Sequence, residues 1–199
     1  MTVQPTLHTD RLTLRPFTLD DVAQLRPLVG EKEIAATTMT IPHPYPDGEA
    51  ERWIGTNQPR FEEGKAVNFA VTLRESGELI GAIGLSIKRE HSHAEMGYWI
   101  GKPYWNKGYA SESTRALLQY AFDTLGLNRI FAHHMTKNPQ SGRVMQKIGM
   151  TYEGTLPQHI RKGDGFEDLA IYGITRNQYD ALRTETFPLT PPPPGRGLG

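Results

Sequence analysis

The sequence predicts a mixed α/β (α+β) domain organised on one central sheet with flanking helices, and three features of the chain lead there. Segments with the two-residue apolar–polar period of strands recur between Leu12 and Thr175. One long segment, through Ala110, Thr114, Leu117, Leu118, Ala121, Phe122 and Leu125, follows helical spacing instead and bridges two strand segments. A chain of 199 residues, 37% of them hydrophobic, suffices for one well-buried core, and we find neither an internal repeat nor a second core.

Taken in order, Leu12 and Leu14, flanked by Arg11, Thr13 and Arg15, form the first strand. Thr18 with Asp21 three positions on resembles a helix-starting cap, with Asp in place of Glu, and predicts a helix through Val22, Leu25 and Leu28 to Gly30. Three prolines within Pro42-His43-Pro44-Tyr45-Pro46 preclude regular structure and predict a stiff extended loop. Asp47 is expected to cap a second helix, which carries Ala50, Trp53, Ile54, Asn57 and Phe61 and ends near Gly64. Residues 69–73 and 79–87, around a turn at Glu75-Ser76-Gly77, read as an antiparallel hairpin, and 94–100 as the next strand. Residues 101–108 form a loop before the long helix, which Gly126 closes. A strand at 129–135, a short helix at 141–148 and strands at 150–154 and 169–175 complete the sheet. Residues 1–189 are therefore expected to form a single domain, and 190–199, with its run of prolines and then glycines, a disordered tail.

Composition narrows the function. Lys plus Arg equals Asp plus Glu, 22 against 22, which argues against nucleic acid or an anionic membrane as a partner. The absence of cysteine excludes disulfides, thiolate metal sites and cysteine nucleophiles. The first ten residues lack the apolar core of a signal peptide, and no apolar run approaches a membrane span, so a cytoplasmic protein is expected.

Two stretches carry chemistry. In Glu95-Met96-Gly97-Tyr98-Trp99-Ile100 a strand leads into a loop containing Trp105, Asn106, Lys107 and Gly108, and Tyr109, Ala110 and Ser111 open the long helix. The first turn of a helix has backbone N–H groups without internal partners and a partial positive charge, so it suits a phosphate. Gly108 and Ala110 keep side chains out of its way, and Lys107 adds a mobile cation. In the second stretch, Asn138 and Ser141 open the short helix that Gly149 closes. Either residue could serve as a helix cap or face a ligand lying between the two bridged strands.

These stretches resemble the Gcn5-related N-acetyltransferase (GNAT) superfamily, and within it the RimJ/RimL-like ribosomal-protein N-acetyltransferases. That branch shows A-E-x-G-Y-W, then W-x-x-G-Y-A-x-E-A, then N-x-x-S-x-x-x-x-x-K-x-G, matched here by 94–99, 105–112 and 138–149. The chain departs at Ser113, where Ala is common, and at Met150, where Phe is usual. The opening Thr9-Asp10-Arg11-Leu12-Thr13-Leu14-Arg15-Pro16 and the stretch 163–172 are also similar, so the likeness runs from about Leu7 to about Tyr179. It implies the GNAT fold, a mixed and mostly antiparallel sheet in which two parallel strands splay apart to take acetyl-CoA.

The resemblance also implies roles. Tyr98, Trp99 and Ile100 lie on the strand that would meet pantetheine and the thioester. Asn106, Lys107, Gly108, Tyr109, Ala110 and Ser111 would hold the pyrophosphate, and Asn138 and Ser141 the pantetheine arm. An acceptor amine would attack directly, with Glu95 as candidate base against the plainer reading of a paired strand carboxylate. Many members place an acidic Tyr on the short helix where this chain has Met145. Ser141 is a weak substitute, and Tyr104, Tyr109 and Tyr152 stay open. His43, Tyr45 and His159 are the acceptor-binding candidates, with Trp53 assigned to packing. His91, His93 and Glu95 share a spacing compatible with a metal, but no metal is assigned; His133 and His134 flank the cleft. A homodimer is an analogy with the branch. Three functional readings remain: acetylation of a protein amino terminus, acetylation of a small amine, and a non-catalytic acyl-CoA-binding or regulatory module.

Overall fold

The structure is a computed structural model that describes residues 3–186. Strands β1 (Leu7–His8) and β2 (Leu12–Arg15) precede helices α1 (Val22–Val29), α2 (Lys32–Thr37) and α3 (Glu49–Glu62). Strands β3 (Ala66–Leu73), β4 (Leu79–Lys88) and β5 (His93–Ile100) follow, then α4 (Tyr109–Gln119), which continues into a π-helical turn over Tyr120–Thr124. Then come β6 (Arg129–Met135), α5 (Pro139–Lys147), β7 (Thr151–Lys162), β8 (Gly165–Thr175) and, last among the described residues, α6 (Arg176–Thr186).

The eight strands of the described residues join one sheet in the order β1-β2-β3-β4-β5-β6-β8-β7, and every neighbouring pair is antiparallel except β5 and β6. A parallel pair needs a long crossover, and α4 supplies it. Strand alternation gives the sheet two apolar faces. Val67, Phe69, Ile83, Leu85, Ala94 and Met96 pack with Leu117, Leu118 and Phe122 of the α4 segment and Met145 of α5. Ala70, Leu79 and Ala82 point the other way, against Leu25, Val29, Ile34, Ala50 and Ile54 of α1, α2 and α3.

Three expectations need correction. The cap of α3 is Gly48 (φ +76°), a left-handed conformation that a β-carbon would oppose, while Asp47 is exposed and pairs with Arg26. Strand β7 runs well beyond 150–154; its solvent-facing edge and its irregularities near Gly154 and Ile160 hide the strand period. Helices α2 and α6 were not anticipated, because each offers few apolar residues. Tyr179 of α6 stacks on Phe122 at 4.6 Å, and Arg183 bonds Asp123 at 2.9 Å, so tertiary contacts hold that helix. The expected tail at 190–199 lies outside the described residues.

The cap anticipated at Thr18 is present, one 3₁₀ turn ahead of α1: Thr18 N–H donates to Asp21 Oδ2 at 2.8 Å. Asp21 also accepts from both terminal nitrogens of Arg15, at 2.8 and 2.6 Å. Burial pushes its carboxyl up, but the Arg15 fork and the Thr18 amide outweigh burial and hold it below the usual carboxylate range. A lowered carboxylate contributes stability that is present above its unfolded value and is lost as pH falls through the folded one. Asp21→Asn should therefore cost about 2 kcal/mol at neutral pH. In urea unfolding, the gap from the parent chain should narrow below about pH 4; a gap independent of pH would remove Asp21 from this role.

Candidate active site

Pairing of β5 with β6 starts at His93 with Arg129 and stops at Glu95 with Phe131. Beyond that point β5 stays registered with β4 up to Ile100, while β6 stays registered with β8 up to Met135. Residues 96–100 therefore have no strand partner on their β6 side among the described residues. A cavity of about 1130 Å³ fills the opening and is lined from both faces of the sheet.

On the α4 face, the loop before α4 lies at the cavity wall. Asn106 (φ +61°) and Gly108 (φ +82°) are both left-handed, which turns the chain so that α4 starts at the opening. The first intrahelical bond is donated by Glu112 to Gly108, and no side chain caps the helix, so the amides of Tyr109, Ala110 and Ser111 have no partner within it. Gly108, Asn106, Tyr109, Ala110 and Ser111 line the cavity; Lys107 does not, and its ammonium lies 5.5 Å from the Tyr104 ring centroid. Trp105 Nε1–H donates to Ile100 O at 2.5 Å, tying the loop to the end of β5.

This loop is braced from the start of β2. Arg11 donates to Lys107 O at 3.0 Å and to Glu112 Oε2 at 2.7 Å, and Thr9 Oγ1 donates to Glu112 Oε1 at 2.6 Å. Burial pushes the Glu112 carboxyl up, and the Thr9 and Arg11 hydrogen bonds outweigh it, so it lies below the usual range. Neither Arg11 nor Glu112 stands out by residue type; their place in the stretches 9–16 and 105–112 is the signal that the sequence offers for them.

The opposite wall is α5. Asn138 is its N-cap residue but makes no side-chain cap bond, and it lines the cavity. The Ser141 hydroxyl is not a cap either. It lies 2.8 Å from the Tyr98 hydroxyl, which also donates to Ser141 O at 3.1 Å. This contact spans the gap from β5 to α5. Burial pushes the Tyr98 hydroxyl up to about 12, so it keeps its proton at neutral pH. Met145 is buried in the core, and α5 offers no acid there. Of the other tyrosines considered, Tyr104 donates to Glu78, Tyr109 lies 4.7 Å beneath the Arg11 guanidinium, and Tyr152 bonds Thr155 outside the cavity lining.

On the other face the cavity is lined by Glu95, Gly97 and Trp99 of β5, His133 of β6, Tyr45, and Trp53 of α3. Trp53 also packs edge-on to Phe17 at 4.9 Å. A β-carbon added at Gly97 would meet nothing within 4 Å, so this position opens directly into the cavity. The β7–β8 hairpin reaches over this half, where Lys162 Nζ donates to Thr38 O at 2.7 Å beside Met39 O and Ile41 O. Burial and, secondarily, Lys137 hold the Lys162 ammonium below the usual lysine range. His43 donates instead to Gly30 O at 3.2 Å, and His159 is exposed on β7; neither lines the cavity. His134 is buried against the backbone of Gly142, with its Nδ1 2.8 Å from Met135 O. His91 and His93 meet edge to face at 5.6 Å, and among the described residues no group of three or more His, Asp or Glu gathers as a metal site.

The acetyltransferase (GNAT) domain model matches residues 11–151. An uncharacterized N-acetyltransferase, p20 of Bacillus licheniformis, is 32% identical over 176 residues, covering 87% of this chain and 98% of the relative. The [ribosomal protein uS5]-alanine N-acetyltransferase of Escherichia coli is 28% identical over 135 residues, 67% of this chain and 69% of the relative. A GNAT-family acetyltransferase structure from Bacillus anthracis superposes with a TM-score of 0.78 at 27% identity, covering 87% of this chain and 99% of that one. The parted parallel strands, the open α4 start and these likenesses agree, and the chain belongs to the GNAT acetyltransferases, as an acetyl-CoA-dependent N-acetyltransferase.

Proposed function

We propose that the enzyme acetylates the amino terminus of a protein, in the manner of the ribosomal-protein branch, or a small amine carrying a single cationic group. The observation that carries this reading is the parting of β5 from β6 at Glu95, with the α4 start, α5 and the acceptor half all opening onto one cavity. Pantetheine is a chain of amides, which suits the unpaired backbone edge of 96–100. Asn106 to Ser111 bind the pyrophosphate through main-chain N–H groups and the helix dipole, with Lys107 beside them. Asn138 and Ser141 contact the arm from the α5 side.

The acceptor enters from the α3 face, over Gly97. Its nitrogen attacks the thioester carbon, and the carbonyl electrons move onto oxygen, where a β5 backbone N–H stabilises them. The intermediate collapses as the C–S bond breaks and CoA leaves as the thiolate. Glu95 takes the amine proton directly or through one water; Ser141, whose hydroxyl meets that of Tyr98 at the cavity, is the candidate, though a weak one, to protonate the leaving sulfur. The acceptor half favours a singly charged amine. The acids lining the cavity are Glu49 and Glu95, and Glu49 is held by Arg52 at 2.7 and 2.5 Å. Among the described residues, a polyamine would find no free carboxylate there for its second ammonium.

Three measurements test this reading. Gly108→Trp should abolish acetyl-CoA binding in calorimetry, and even Gly108→Ala should weaken it, since a left-handed non-glycine costs about 1–2 kcal/mol; parental affinity in the Trp variant would refute the loop assignment. Glu95→Gln should slow turnover by about a hundredfold or more at neutral pH. The loss should shrink above about pH 8, where an α-amine is already neutral, and an unchanged pH profile removes Glu95 as base. In a thiol-release assay, alanine-initiated peptides should turn over faster than spermidine. The reverse order would overturn the acceptor reading, and acetyl-CoA binding with no release on any amine would favour the non-catalytic module.

A further inference from the structure

His133 stands two residues beyond Phe131 on β6, on the same face, where the strands have begun to part. Its Nδ1 lies 3.2 Å from Glu95 Oε1, an ion-pair distance without the alignment of a hydrogen bond, so this buried nitrogen has no hydrogen-bond partner among the described residues. The imidazole is 15% exposed and the Glu95 side chain 35%, and both line the cavity. Phe131 packs edge-on to the imidazole at 5.6 Å, which fixes the plane of the ring. Among the described residues no other side chain pairs with Glu95. A lone carboxylate on a strand beside a glycine has rotamer freedom, whereas a proton acceptor must face the amine it serves.

We infer that His133 is a positioning residue for Glu95. The ring proton resides on Nδ1, and a small turn of the more exposed Glu95 side chain lets Nδ1–H donate to Oε1 and points Oε2 toward the acceptor nitrogen. The arrangement satisfies the buried nitrogen and orders the carboxylate with one contact. Phe131 and His133 thus form the far side of the proton-accepting site, contributed by the strand that diverges from the one carrying Glu95. This inference rests on Glu95 acting as the base.

The test compares His133→Leu, His133→Asn and His133→Gln, since an Asn amide can occupy the Nδ1 position and a Gln amide the Nε2 position. Acetyl-CoA affinity by calorimetry reports that each variant is folded. With saturating acetyl-CoA and the fastest acceptor of the amine and peptide panel, His133→Leu and His133→Gln should lower kcat about tenfold or more, a part of what a placed base contributes. The KM for acetyl-CoA should stay within about twofold, because His133 lies on the acceptor face. His133→Asn should recover most of the rate, and His133→Leu should add nothing in a Glu95→Gln background. Ring ¹⁵N spectra of the free protein, assigned by the signal missing in His133→Asn, should show the Nδ1–H tautomer. Parental kcat in His133→Leu, equal loss in the Asn and Gln variants, multiplying effects in the double variant, or the Nε2–H tautomer would each overturn the inference. If Glu95→Gln is slow while His133→Leu is not, the positioning role alone fails; a fully active Glu95→Gln removes the base and the positioning role together.

Discussion

Two strands that begin as a parallel pair and cannot continue as one set the layout of this protein. Each follows its antiparallel neighbour: β5 stays with β4 to the Ile100–Gly81 pair, and β6 stays with β8 to the Met135–Leu169 pair. Gly81 permits the close approach of β4, since a β-carbon there would lie 2.3 Å from Trp99 O. The sheet thus behaves as two antiparallel halves joined along three residue pairs. A strand edge left inside the protein holds backbone donors and acceptors that need partners, and a cavity beside such an edge is suited to a ligand made of amides.

Strand alternation then divides the chemistry. Met96 and Tyr98 point toward α4 and α5, where the Tyr98–Ser141 contact crosses the gap. Glu95, Gly97 and Trp99 point toward α1, α2 and α3, where Tyr45 and Trp53 line the wall and Lys162 ties the β7–β8 hairpin over the loop after α2. One strand therefore serves the proposed coenzyme groove with one set of side chains and the proposed acceptor pocket with the other. The brace of Arg11 and Thr9 on Glu112 belongs to the first set, since it holds the turn at Gly108 without entering the cavity.

The elements with strong periodicity could be read from the sequence, and so could the two stretches that border the cavity. Leu117, Leu118, Ala121 and Phe122 declare a helix because burial against the sheet demands that spacing. Helix α6 could not be read so, because its hold on the domain is a Tyr179–Phe122 stack and Arg–Asp pairs that no local pattern encodes. Ser141 could be either a cap or a cavity residue in sequence; its partner, Tyr98, is 43 positions away. The Glu95–His133 contact was hidden for the same reason, being a meeting of two strands across a register that sequence does not supply. The acceptor loops were hardest: an aromatic or histidine near the cleft in sequence can turn outward, as His43 and His159 do.

Backbone hydrogen exchange, with and without acetyl-CoA, tests the central claim most directly, because it reads the amides themselves. The account predicts that added protection concentrates in residues 96–100 of β5 and 106–111 before and at the start of α4. Unchanged exchange in both segments, with protection arising elsewhere, would contradict it.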